Sequence, residues 1–252
     1  DARRIAEDLN EAERAVLLGA GFLTLEATWA LKKKDIDIDV VAPENVLFEP
    51  LLGKRIGRWL QAEHEENGLN FHLGHKPAEL RGSGRVEEVV MDDGRTLPTD
   101  MVLSGVGINP AVEWLQGTGL ANSDSIPVDD RLQTEAEGIY AAGDVAAVPS
   151  PFTGEQRRVE HWAEAERQGR HAARMMLGGD EPYGGMPFFW SELSGVSIKY
   201  IGYTRSWDRT VFRGEVENGE FLCGYYHGEE LRAVCGVDRP EEVLACRDIL
   251  GA

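Results

Sequence analysis

The chain has 252 residues, a formal net charge of −18, 42% hydrophobic residues and 28% charged residues. That composition belongs to folded globular domains, enough chain for two of them, and the acidic charge repels phosphate backbones, which argues against nucleic-acid binding. No stretch approaches the ~20 apolar residues that cross a bilayer, so no membrane span or membrane partner is expected.

Asp1-Ala2-Arg3-Arg4 has neither a methionine nor an apolar signal core and reads as a processing boundary. Ala15-Val16-Leu17-Leu18 is a short apolar run that meets Gly19-Ala20-Gly21. Leu23, Ala27 and Leu31 then recur at helical spacing. Lys32, Lys33 and Lys34 suit the negative end of that helix. Ile36, Ile38 and Val40 alternate as a strand, completing a βαβ unit. Residues 53–67 predict an amphipathic helix stopped by Gly68. Residues 69–73 predict a strand, and 86–91 with 96–97 a hairpin around Asp93-Gly94. A further strand is predicted over 101–106.

The stretch 120–137 is polar and turn-rich, which places a junction near residue 120. Residues 139–142 predict a strand that delivers Gly143-Asp144, and 161–177 a long helix. After Gly178-Gly179, aromatic residues accumulate, and Asn218-Gly219 and His227-Gly228 mark hairpins. Residues 241–250 predict a terminal helix. Cys223, Cys235 and Cys246 form no CxxC pair, so neither a metal site nor a redox dithiol is expected. Reduced thiols in the cytoplasm fit better.

Gly19 and Gly21 stand where a strand meets a helix, the position at which a pyrophosphate approaches bare backbone and helix-terminal amides. The third glycine of that pattern is replaced by Thr24, at a position that governs helix–strand packing. About 20 residues on, an acid should bind the ribose hydroxyls. Ala42 holds the common place, so Glu44 must reach from two residues further. No arginine follows until Arg55, which favours NAD over NADP.

Gly19-Ala20-Gly21-Phe22-Leu23-Thr24-Leu25-Glu26 resembles the opening of the NAD domain in FAD-dependent pyridine nucleotide oxidoreductases, in particular the ferredoxin reductase-like and apoptosis-inducing-factor-like groups. The resemblance implies that Gly19, Gly21, Phe22 and Leu23 line the cofactor and that Glu26 orients the nicotinamide carboxamide for hydride transfer. Ser104-Gly105-Val106-Gly107-Ile108-Asn109-Pro110 is similar to the segment that closes the NAD site, implicating Gly105, Val106 and Gly107. Thr134-Glu135-Ala136-Glu137-Gly138-Ile139-Tyr140-Ala141-Ala142-Gly143-Asp144 resembles the FAD signature, which implies a ribityl contact at Asp144 and clearance at Gly143. Arg158-Val159-Glu160-His161-Trp162, with Ala165, Gln168 and Gly169, resembles the following segment. It implies that His161 and Trp162 lie by the flavin at a helix N-terminus. Pro187-Phe188-Phe189-Trp190-Ser191 resembles the start of the family's C-terminal domain, whose residues cover the flavin.

The fold class expected is therefore α/β: a Rossmann-like NAD-binding domain over 1–119, the second half of an FAD-binding domain over 120–180, and an α+β C-terminal domain over 181–252. Such enzymes carry an N-terminal glycine turn for the FAD pyrophosphate, and this chain has one glycine turn rather than two, so it reads as a fragment. The resemblance implies NADH and FAD as cofactors, with FAD doubtful on the fragment. It implies a cytoplasmic oxidoreductase that passes hydride to FAD and electrons to a small ferredoxin- or Rieske-type protein. The site includes no metal, and a homodimer is allowed. A pyridine nucleotide-disulfide oxidoreductase and a non-catalytic NAD-binding module stay open.

Overall fold

The computed structural model describes residues 2–150 and 153–250, which pack as two units. The first unit takes the chain up to Gly107 together with the short segments Ser191–Ile198 and Glu215–Gly219, and the second takes the rest.

In the first unit a short helix, α1 (Ala2–Asp8), precedes β1 (Arg14–Leu18), α2 (Phe22–Lys32) and β2 (Asp37–Ala42). A single-turn helix, α3 (Glu49–Leu52), and α4 (Lys54–Glu66) lead to β3 (Leu69–Leu73). A ribbon of β4 (Pro77–Arg81), β5 (Glu88–Met91) and β6 (Thr96–Pro98) comes before β7 (Met101–Ser104). The four parallel strands lie in the order β3–β2–β1–β7. Ala15, Val16, Leu17 and Leu18 are all buried, as a central parallel strand covered on both faces requires. The chain fills one side of β1 and then crosses to the other, so the topological switch point lies between the carboxyl ends of β1 and β7. Ligands of open α/β sheets bind at that place. The ribbon closes one face, where Val89 and Met91 pack on Val16, Leu18 and Val41.

The predicted elements recur here with two shifts. The buried stripe of α2 is Thr24, Leu25, Thr28 and Leu31, while Leu23 is 78% exposed. The spacing 23–27–31 had picked out an edge of the stripe rather than its centre. The strand predicted over 101–106 ends at Ser104: the Gly105 amide makes the last ladder bond, to Leu18 O, and the chain after β1 then turns away at Gly19, which has φ +93.

The second unit contains β8 (Ile126–Pro127), β9 (Ala146–Pro149) and β10 (Gln156–Arg157), ordered β10–β9–β8, and the long helix α5 (Trp162–Met176). Val128, Leu132, Ala146, Val148 and Ala172 form its core. The strand expected over 139–142 is not formed. Backbone bonds from Thr134 N to Ile139 O and from Ala141 N to Leu132 O fold this stretch back around Gly138, leaving one isolated bridge between Gln133 and Tyr140. Asp144 is therefore carried by the turn that enters β9, not by the end of a strand.

An antiparallel sheet follows: β11 (Phe188–Leu193), β12 (Val196–Gly202), β13 (Arg209–Glu215), β14 (Glu220–His227) and β15 (Glu230–Val237), in the order β11–β12–β15–β14–β13. Gly219 and Gly228 make its turns with positive φ. Cys223 faces Cys235 directly across β14 and β15, and both thiols are buried and reduced. Their distance in sequence hides that they are neighbours. The terminal helix is shorter than predicted: α6 (Pro240–Ala245) passes into a 3-10 turn, Cys246–Asp248.

Candidate functional site

The bend after β1 is held from one side and open on the other. Gly19 has φ +93, and its amide donates to Val41 O at 2.8 Å. A β-carbon placed on Gly19 would lie 2.4 Å from Gly105 O, so the two strand exits touch through bare backbone. Gly21 caps α2 in an extended conformation, with no side-chain cap, and a β-carbon there would meet nothing within 4 Å. Gly19 is thus required by the fold, while the space beside Gly21 is left free. Thr24 explains why the third glycine can be missing. It is buried against Gly105, whose β-carbon would lie 2.1 Å from Thr24 Oγ1. The volume gained on the helix is given up on the facing strand. That hydroxyl has no hydrogen-bond partner among the described residues.

Around the bend, the sequence-predicted residues divide. Gly107 has φ +106 and open space where a β-carbon would stand, and Val106 beside it is 74% exposed. Leu23 is exposed on the first turn of α2. Phe22 is stacked on Phe48, with ring centroids 4.2 Å apart, so its ring is committed to packing. That partner, just before α3, carries no local signal in the sequence. Glu44 lies just beyond β2 with an exposed carboxylate that has no partner among the described residues; its backbone oxygen accepts from Gly74 N at 3.0 Å. Arg55, the nearest following arginine, is held by both carboxylate oxygens of Glu217 at 2.9 and 3.0 Å. Glu26 is half-buried, and Ser191 donates to its Oε1 at 2.5 Å.

In the second unit, Gly143 is buried with φ +84, and its amide donates to Gln168 Oε1 at 2.8 Å. Gln168 in turn donates to Glu164, which also accepts from Tyr183 Oη and pairs with Arg167. This network buries Glu164, at 1% exposure, with its charge answered, and it pushes the Tyr183 phenol well above its ordinary range through burial and the neighbouring Glu164 charge. Gln168 belongs to a quoted motif, whereas Glu164, Arg167 and Tyr183 carry no sequence signal and were missed. The Asp144 carboxylate is exposed, and Arg158 donates to Asp144 O at 2.8 Å while pairing with Glu160. His161 caps α5, its Nδ1 accepting from Ala163 N at 3.2 Å. Its ring lies 5.9 Å from Trp162 and 5.1 Å from Trp190. Trp162 is 63% exposed.

A family model described as pyridine nucleotide-disulphide oxidoreductase matches residues 1–169, and one described as reductase C-terminal matches residues 188–252. Apoptosis-inducing factor 3 from Homo sapiens is 32% identical, with the match covering 100% of this chain and 42% of that protein. The ferredoxin–NAD(+) reductase component of the anthranilate 1,2-dioxygenase system from Burkholderia cepacia is 29% identical, over 100% of this chain and 62% of that protein. Among solved structures, a ferredoxin reductase from Rhodopseudomonas palustris superposes with a TM-score of 0.93 at 32% identity, over 99% of this chain and 62% of that one. The covalent putidaredoxin reductase–putidaredoxin complex gives 0.92 at 27% identity, over 99% and 60%. The chain spans 42–62% of the length of these proteins. With the parallel sheet, its switch point and a model match running from residue 1 to residue 169, the chain belongs to the pyridine nucleotide-disulphide oxidoreductase family.

Proposed function

We propose that this chain is the NADH-binding and C-terminal part of a flavoprotein reductase that serves a small iron–sulfur protein of ferredoxin or Rieske type. The NAD-binding segment runs over 1–119, an FAD-completing segment over 120–180 and the C-terminal module over 181–252. When both cofactors are bound they supply the redox chemistry, hydride passing from the nicotinamide to the flavin and electrons leaving singly. The chain's own residues bind and orient them.

The observation that carries this reading is the open bend at Gly21 beside the switch point of a parallel sheet. Uncapped amides at the start of α2 suit a diphosphate there. Glu44, exposed and unpartnered, suits the two ribose hydroxyls, and its negative charge opposes the 2′-phosphate of NADP. Arg55 is already engaged by Glu217 and offers that phosphate no cation. Glu26 keeps Oε2 for a carboxamide N–H while Oε1 accepts from Ser191. In the second unit, Gly143 and the exposed carboxylate of Asp144 fit a flavin ribityl chain, with His161 and Trp162 at its ring. The names of the ferredoxin reductases to which this chain is similar support an iron–sulfur acceptor.

The test is NADH titration of the purified chain and of Glu44→Ala. Loss of charge-assisted ribose bonds should weaken NADH by about 1–3 kcal/mol and leave thermal stability unchanged. Equal affinity in the variant would remove Glu44 from the site. An absence of NADH binding in the parent chain would overturn the proposal. Bound NADH without any flavin absorption would support the fragment reading, and flavin bands after FAD is added would show that the FAD segment binds on its own.

A further inference from the structure

A cavity of about 190 Å3 lies wholly within the second unit, where the end of β10 meets the segment after β12 and the β14–β15 hairpin. It shares no residue with the glycine bend or with Gly143-Asp144. Three guanidinium groups line it, those of Arg157, Arg205 and Arg232, against one carboxylate, Glu155.

Arg157 is the unusual member. It is 4% exposed, and its Nε and Nη1 are buried with no hydrogen-bond partner among the described residues. Its guanidinium lies 5.2 Å from the Tyr203 ring, a contact that leaves the Nε and Nη1 donors unanswered. Burial pulls its proton affinity below the ordinary value, while Glu164, Tyr203 and Tyr183 pull it back. An arginine does not give up its proton in a protein, so it stays charged with donors unmet. The other two cations are partly engaged. Arg205 Nε donates to Tyr203 Oη at 3.0 Å, and Arg232 pairs with Glu230. Glu155 is exposed at the rim and acts electrostatically on Arg205.

A charged guanidinium with unmet N–H groups at the wall, with further cations and the hydroxyls of Ser150 and Ser206 around it, suits the oxygens of a phosphate. The volume corresponds to roughly six waters. It admits a phosphoryl group but not a whole dinucleotide. We propose that this cavity binds a phosphoryl dianion, either free phosphate or the terminal phosphate of a small nucleotide, with the Arg157 guanidinium as its central donor. The sequence hid the site because its walls come from three distant segments and Arg157 reads only as the neighbour of Arg158.

The experiment is calorimetric and thermal-unfolding titration of the whole chain with inorganic phosphate, AMP and adenosine at constant ionic strength. Phosphate should bind and raise Tm, adenosine alone should not, and tighter binding of AMP than of phosphate would identify the nucleotide as the source. Arg157→Met should weaken phosphate at least about tenfold, Arg157→Lys should recover part of it, and the control Arg95→Met should bind as the parent does. A parent chain with no phosphate or AMP response overturns the proposal. So does an equal response in Arg157→Met, which would mean an adventitious ion only. Should Arg157→Met fail to fold, the Arg157 Nε–H signal in the 15N spectrum of the parent decides. Phosphate must shift it, and an unmoved signal overturns the assignment.

Discussion

The Ser191 hydroxyl donates to Glu26 Oε1 at 2.5 Å across 165 residues of sequence. Ser191 is 2% exposed, so this bond fixes the rotamer of a half-buried carboxylate on α2 from a position of little freedom. Ser191→Ala should lower stability by about 1–2 kcal/mol, the cost of one hydrogen bond to a charged group, measured by urea unfolding. Ser197→Ala, which removes an exposed bond to Glu192, should change it by less than about 0.5 kcal/mol. Equal effects would show that the Ser191 contact has no special weight.

Gly19 and Gly21 stand two residues apart and should fail differently. Gly19→Ala forces a side chain into φ +93 and onto Gly105 O, and should destabilise by about 2–4 kcal/mol. Gly21→Ala meets open space and negative φ, so it should fold with near-parental stability. If the space beside Gly21 holds a pyrophosphate, its NADH affinity should fall about tenfold or more. Parallel denaturation and NADH titration of both variants separate the roles, and unaltered NADH binding in Gly21→Ala counts against the site.

Thr24 and Gly105 should be energetically coupled. Gly105→Ala alone drives a β-carbon to 2.1 Å from Thr24 Oγ1, a strain of about 1–3 kcal/mol. In a Thr24→Ala background most of that cost should vanish, because the remaining β-carbon of residue 24 stands 3.4 Å away. A double-mutant cycle with coupling below about 0.5 kcal/mol would refute the compensation.

His64, on α4, makes stability depend on pH. Its ring is buried, Nδ1 lies 3.1 Å from Ser194 Oγ, and Nε2 has no partner among the described residues. Desolvation lowers its pKa from 6.5 to about 4. Between those values the unfolded chain binds a proton that the folded chain refuses, so stability rises with pH over that window. Acidification from pH 6.5 towards 4 should cost up to roughly 3 kcal/mol from this group. Well above pH 6.5 the ring is neutral in both states and contributes no slope. His64→Gln should flatten the dependence of the urea midpoint across that window, and an unchanged slope would assign the effect to other groups.

Much of the first unit was legible because its signals are local. The apolar run of β1, the glycines after it and the 69–73 strand lie within a few residues of the features that define them. The family segments placed Gly143, Asp144, His161 and Trp162 by pattern, but not by geometry. The supposed strand at 139–142 turned out to be a folded-back turn, since its backbone bonds are taken by residues 132–134. Pairings between distant positions were invisible: Ser191 with Glu26, Phe48 with Phe22, Thr24 with Gly105. Each depends on where the backbone brings two segments together, and residue type at one end says nothing about the other.

The facing thiols of Cys223 and Cys235 give the C-terminal sheet an internal clock. Both are fully buried, and desolvation, with the neighbouring Cys223, raises the Cys235 thiol far above its ordinary range. Only a thiolate attacks an aromatic disulfide reagent at an appreciable rate, so neither sulfur reacts until β14 and β15 part. The half-exposed Cys246 reacts ahead of them. One slow two-thiol phase behind one fast single-thiol phase then times the opening of this sheet, with no optical probe added to the protein.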